Sequence, residues 1–266
     1  MITTTDIVKR HTIETMCQAF QDAVAKYKQG YQLIKDAEAL VRVSFECSGL
    51  PWESTPRSEP DKTRNELLCT AWRRIFELTG LRGLMSLKDQ DKLSKQLSTG
   101  EGLPDLVPEN VLGLISELSG KMPELIKEAV KEVFEMIRPR HWNHYKTNDK
   151  NEFRIGNKYI WSNALDTAYT LTLRHHTQNE IRAFDNVFRL LDGKGPVTEH
   201  YSETIKAIED RTRMRSAHQG SFETTYFKVK YFKNGNLHFE FKRMDLVAEL
   251  NRIGAEGRNE LGREVA

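Results

Sequence analysis

Cysteine is scarce in this chain. Cys17, Cys47 and Cys69 are far apart, odd in number and without a Cys-x-x-Cys pair. That argues against a disulfide framework or a cysteine zinc site, and reduced thiols are expected. No run of about 18 apolar residues occurs, and the polar opening MITTTDIVKRH lacks the apolar centre of a secretory signal, so the sequence supports neither membrane insertion nor export. A cytoplasmic location is expected. A dominant charge is missing too: the net charge is +2 although 29% of residues are charged. No global field attracts a polyanion, and any nucleic-acid contact must come from a local patch.

Several chemical signatures are also absent. There is no glycine-rich cofactor loop after a strand, no Asn/Asp-Pro-Pro-aromatic motif and no serine in a nucleophile-elbow context, so neither methyl transfer nor Ser/His/Asp chemistry has a footing. His175-His176 and His141-x-x-His144 have no clear carboxylate or cysteine partner at ligand spacing, and they read as capping or surface histidines. No cofactor and no metal is therefore expected.

A hydrophobic content of 38% over 266 residues is enough for one large core or two modest ones. Ile13, Met16, Phe20, Val24, Tyr27, Tyr31, Ile34 and Val41 recur at threes and fours, which predicts one long helix over about 11–45, with Gly30 as a point of interruption. Prolines and turn formers make Cys47 to Asp61 an irregular connection. Helices follow through Leu68, Trp72, Ile75 and Phe76, then over about 86–98, 108–119 and 123–138, with Pro108 and Pro123 in first turns. Residues 1–140 are read as a helical domain.

Residues 141–254 are read as an α+β domain and 255–266 as a mobile tail. Short strands are expected near 152–161. In HHTQNEIRAFDNVFRLLDGKG, Thr177 and Glu180 have the spacing of a capping box, and Ile181, Phe184, Phe188 and Leu191 form an apolar stripe closed by Gly193. Arg182, Asn186 and Arg189 fall opposite that stripe, as a solvated or basic face. A helix over 199–217 precedes YFKVKYFKNGNLHFEF, a hairpin around Asn234-Gly235. The helix of KRMDLVAELNRIG follows. The whole predicts an α+β fold, mostly helical, with a small antiparallel hairpin or sheet in the C-terminal half.

The hairpin register decides which way its polar groups point. A two-residue loop would put Phe227, Val229 and Tyr231 on one face and Leu237, Phe239 and Phe241 on the other. A three-residue loop, Asn234-Gly235-Asn236, brings all six onto one face. Three additional buried apolar side chains at roughly 1.5–3 kcal/mol each outweigh about 1 kcal/mol of left-handed strain at Asn236. The odd loop is expected, with Lys228 opposite Lys242, Lys230 opposite Glu240, and Phe232 opposite His238, all facing outward.

Between positions 211 and 243 lie Arg211, Arg213, Arg215, Lys228, Lys230, Lys233, Lys242 and Arg243, against Glu223 and Glu240 alone. Such cations can neutralise phosphates of DNA or RNA, and Phe232 and His238 beside them could stack on unpaired bases. The competing reading is a solvated face with lysines that protect a sheet edge. Arg213 and His218 also have a spacing met in a class of helical RNases, in which a histidine moves a proton while an arginine stabilises phosphate charge. His238, His218 and Arg213 are the only catalytic candidates. The long N-terminal stripe offers a surface for a protein partner or for self-association.

The segments WRRIFELTGLRGLMSLKDQDKLSKQL, FDNVFRLLDGKG, YFKNGNLHFEFKR and DLVAELN, agreeing in order, together resemble a bacterial, phage and plasmid family, the domain-of-unknown-function family 4942. The resemblance implies a mobile-element protein in a DNA modification, defence or counter-defence context, since some members are fused to or lie beside DNA methyltransferases. It brings no catalytic residues. His238 and Asn251 match a histidine and an asparagine of the family's hairpin and helix segments. The expectation is an accessory protein that meets nucleic acid or another protein, with a toxin-like nuclease or a protein-binding inhibitor as alternatives.

Overall fold

The computed structural model describes residues 10–45, 58–138, 154–167, 171–197, 202–212 and 219–256. Contacts divide the chain into two units, one of Met1–Arg82 with Asp91–Gly120 and the other of Gly83–Gln90 with Lys121–Ala266.

The first unit is helical. Helix α1 (Arg10–Phe45) runs through Gly30 without interruption and packs on α2 (Pro60–Thr79) and α4 (Pro108–Gly120). Ile13 and Cys17 are its buried anchors, and the rest of the predicted stripe is half-buried. Helix α2 begins with proline in its first turn and ends where Gly80, at φ +65°, returns its N–H to Phe76 O. Wholly buried Trp72 donates its indole N–H to Pro104 O at 2.9 Å. Leu93 and Leu97 of α3 (Leu87–Thr99) are buried as well.

The second unit is α+β. Its helices are α5 (Met122–Ile137), α6 (His175–Leu191), α7 (Glu203–Thr212) and α8 (Met244–Gly254), and its strands are β1 (Lys158–Trp161), β2 (Leu165–Asp166), β3 (Thr172–Leu173), β4 (Gly220–Glu223), β5 (Phe227–Tyr231) and β6 (Leu237–Phe241). Four strands form an antiparallel sheet in the order β1-β6-β5-β4, and β2 pairs with β3. Strand β5 has the burial pattern of strict alternation, with Phe227, Val229 and Tyr231 buried and Lys228 and Lys230 exposed. Phe184 of α6 stacks on Phe227 at 4.7 Å, and Phe188 stacks on Phe241 at 5.6 Å. Offset and edge-on aromatic packing of this kind adds to area burial. The core thus lies between α6 and one face of the sheet, leaving the other face to solvent.

All six hairpin hydrophobics do share the inner face. The cross-strand partners differ from the expected ones: Tyr231 pairs with Leu237, Lys230 with His238, Lys228 with Glu240 and Phe227 with Phe241. The loop is Lys233-Asn234-Gly235. Phe232 N–H donates to Asn236 O at 3.1 Å, Gly235 N–H donates to Phe232 O at 3.0 Å, and Gly235 holds φ +79°. Glycine therefore takes the left-handed bulge position, which it occupies without the Cβ penalty that Asn236 would incur. Moving the loop by one residue preserves the facing of every side chain and changes the pairing.

Two further expectations are corrected. Helix α6 starts at His175 rather than after Thr177, and its N-cap residue Arg174 makes no side-chain cap bond. Glu180, instead of closing a capping box, accepts the indole N–H of Trp161 at 3.2 Å. Asn186 is not on a solvated face. It is 5% exposed, donates to Gly83 O and accepts the Val197 N–H at 2.8 Å. The chain at both sites gains more from a buried hydrogen bond than from a solvated amide or a local cap.

Buried polar groups fix other joints. Asn251 of α8 accepts from Ile155 N–H at 2.8 Å and donates to Ile155 O at 3.0 Å, mimicking one rung of a ladder. Asp185 accepts from Thr204 N–H at 2.9 Å and Thr204 Oγ1–H at 2.6 Å, tying α6 to the first turn of α7. Ala255 is buried and Glu256 pairs with Lys127, while 257–266 lie outside the described residues. No helix among the described residues is long and apolar enough to cross a membrane.

Candidate nucleic-acid interface

The solvent face of the four-stranded sheet presents two rows of side chains, fixed by the register. One row reads Ile160, His238, Lys230, Ser221, and the next reads Lys158, Glu240, Lys228, Glu223. The second row alternates in sign. Lys158 lies 3.8 Å from Glu240, Lys228 lies 3.7 Å from Glu223, and Lys242 lies 3.3 Å from Glu223 while donating to Thr224 O at 2.8 Å. These pairs are exposed and contribute about 0–1 kcal/mol each to stability. Their effect on the field is larger, because each carboxylate cancels a cation that would otherwise face a phosphate.

The first row differs. Among the described residues Lys230 has no carboxylate or hydrogen-bond partner, and Lys233, exposed in the adjoining loop, has none either. The imidazole of His238 sits 4.4 Å from the Phe232 ring, centroid to centroid, with the planes inclined at 48°. Burial, then the neighbouring Lys230 ammonium, lowers the His238 pKa below its ordinary 6.5. The ring is consequently neutral at pH 7. It makes no hydrogen bond among the described residues, so it lacks the orienting partner on which a general base usually depends.

Arg243 stands beyond the far end of β6. Its guanidinium grips Asp245 through two bonds of 2.9 and 2.6 Å and reaches Asp192 Oδ1 at 2.9 Å. Asp192 also accepts from Lys194 at 2.7 Å and from the Tyr226 hydroxyl at 3.0 Å. The Lys194 ammonium, with the Tyr226 hydroxyl and Arg243 guanidinium, holds the Asp192 carboxyl down at about 2. This clamp joins the end of α6, the β4–β5 turn and the start of α8, and its cations are occupied.

The basic residues of 211–243 are therefore distributed, not gathered. Lys230, Lys233, Phe232 and His238 come together at the loop end of the sheet. Lys228 shares the same face inside a neutral ladder, Lys242 and Arg243 lie at the opposite end, and exposed Arg211 is in the last turn of α7. Arg213, Arg215 and His218 lie outside the described residues, as do His141 and His144. His175 and His176 are exposed on the first turn of α6. The described residues contain no group of three or more histidine, cysteine, aspartate or glutamate side chains arranged to hold a metal ion. Sequence reasoning missed Ile160 in the outer row and the Asp192 clamp. The first follows only from the β1–β6 register, and the second from residues far apart in the chain.

A family model described as Domain of unknown function (DUF4942) matches residues 64–260, more than half of the chain. Helix α1 precedes the matched span. No curated protein and no solved structure matches.

Proposed function

Because the chain belongs to the DUF4942 family, whose description assigns no chemistry, we propose from its own surface that it is a non-enzymatic accessory module that touches nucleic acid through the loop end of its sheet. The observation that supports this reading is that Lys230, on the sheet face, and Lys233, in the adjoining loop, have no carboxylate partner among the described residues, while the neighbouring row is neutralised. The mobile-element setting that the family resemblance implies and the cytoplasmic location expected from the sequence belong to the same proposal.

Two phosphate contacts make a weak, salt-sensitive binder. On duplex DNA the logarithmic slope is about −0.9 per neutralised phosphate, so affinity falls about tenfold between roughly 50 and 200 mM salt. Fluorescence anisotropy with labelled oligonucleotides tests it. Lys230→Ala with Lys233→Ala should abolish the salt-dependent component. Equal binding by wild type and the double variant at both salt concentrations refutes the reading.

A second reading has its own observation. Leu33, Leu40 and Val43 of α1 are 61%, 68% and 83% exposed, an apolar edge suited to a protein partner or to self-association. Sedimentation of wild type and of Leu33→Glu with Leu40→Glu distinguishes a self-associating helix from a solvated one.

A further inference from the structure

We propose that the Phe232–His238 ring pair selects single-stranded over duplex nucleic acid by accepting one unpaired base. This rests on the nucleic-acid reading above and deepens it. The two rings meet at 4.4 Å on the solvent face, and both are half-buried, so each keeps an open surface. His238 lies in β6, and Phe232 directly follows β5, where its N–H donates to Asn236 O at 3.1 Å. Opposite His238 on one side is Lys230, and on the other is Ile160. Ser221 completes the row beyond Lys230. The row contains no carboxylate.

The chemistry of the row decides the occupant. An apolar and imidazole surface attracts a planar partner, and the ammonium groups of Lys230 and Lys233, without a carboxylate partner among the described residues, favour a partner that carries negative charge beside that plane. An unpaired nucleotide supplies both, with a base face next to its phosphate. A duplex buries its base faces in its own stack and can offer only phosphates. Glu240, the nearest carboxylate along β6, is engaged by Lys158 and lies opposite Lys228. It does not oppose a phosphate at the loop end.

The test uses the full chain, an oligothymidylate of about 12 nucleotides and a duplex of equal length. Wild type should prefer the single strand by about tenfold, the scale of one stacked base. Phe232→Ala should bring the two affinities together by weakening single-strand binding, and Phe232→Tyr should keep the preference. His238→Ala should reduce the preference as Phe232→Ala does, providing a second route should either variant lose its fold. Equal affinity of wild type for both probes, or a preference that survives removal of both rings, overturns the proposal and leaves the lysine contact standing. Binding to neither probe at low salt overturns both. Capture of the oligothymidylate that Lys230→Ala abolishes and Phe232→Ala leaves intact would assign the site to phosphate alone and also overturn it.

Discussion

Replacing Asp185 by asparagine should change how stability depends on pH. Asp185 is 4% exposed. Burial, opposed by hydrogen bonds from Thr204 and Ser202, raises its pKa from 3.8 to about 6. The folded chain consequently holds a proton there that the unfolded chain releases, over a window from about pH 4 to about pH 6. Because the folded state binds more protons in that window, the contribution of this group is most favourable below the unfolded value. It is lost as pH rises through the folded one. The gap between 3.8 and about 6 corresponds to about 3 kcal/mol. In Asp185→Asn the amide oxygen can still accept the Thr204 N–H, and its NH2 can donate to the Thr204 hydroxyl oxygen, so the shape of the joint is kept without the titration. Urea unfolding of both proteins from about pH 4 to about pH 7 should show the variant gaining roughly 2–2.5 kcal/mol relative to wild type as pH rises, the remainder falling below about pH 4. Parallel profiles would refute the assignment of that proton to Asp185.

Asn251→Ala leaves both Ile155 N–H and Ile155 O without their partner. It should lower stability by about 2–4 kcal/mol in urea titration, since two buried polar groups lose their bonds together. Gly235→Ala meets a left-handed φ of +79° and places a Cβ 2.7 Å from Leu165 O. It should cost more than about 1 kcal/mol and lower Tm accordingly, whereas Asn234→Ala should cost less. Glu223→Gln releases Lys228 and Lys242 from their shared carboxylate. Stability should stay within about 0.5 kcal/mol while oligonucleotide affinity rises at low salt and its salt slope steepens by up to about one per freed lysine. An unchanged affinity would show that the second row takes no part in the field felt by the ligand.

Much of this architecture is legible in local sequence. The alternation of β5, the threes and fours of α1 and the prolines opening α4 and α5 each reflect a rule that acts within one element, and the helices and the hairpin's inner face follow from them. The pairing along the hairpin is less legible. Loops Lys233-Asn234-Gly235 and Asn234-Gly235-Asn236 preserve the same facing, so hydrophobic bookkeeping cannot separate them, and glycine's freedom at φ > 0 makes the choice. The start of α6 escaped for another reason: Glu180 serves Trp161, a residue of strand β1, and no local spacing encodes that. Strands β2, β3 and β4 are too short to show a period. The candidate site was half legible. Charge density located the hairpin, yet of the two carboxylates that answer Arg243 only Asp245 is close in sequence, while Asp192, at the C-cap of α6, is distant, so only the assembled fold reveals which cations are answered.

Docking of nucleic acid at the loop end of the sheet's solvent face is open to direct observation. Two-dimensional amide NMR of the full chain, titrated with oligothymidylate at low salt, tests it most directly. The shifted resonances should cluster on Lys230, Phe232, Lys233 and His238, with Asp192, Arg243 and α1 undisturbed. Shifts confined to α1, or no shifts at saturating oligonucleotide, would contradict it.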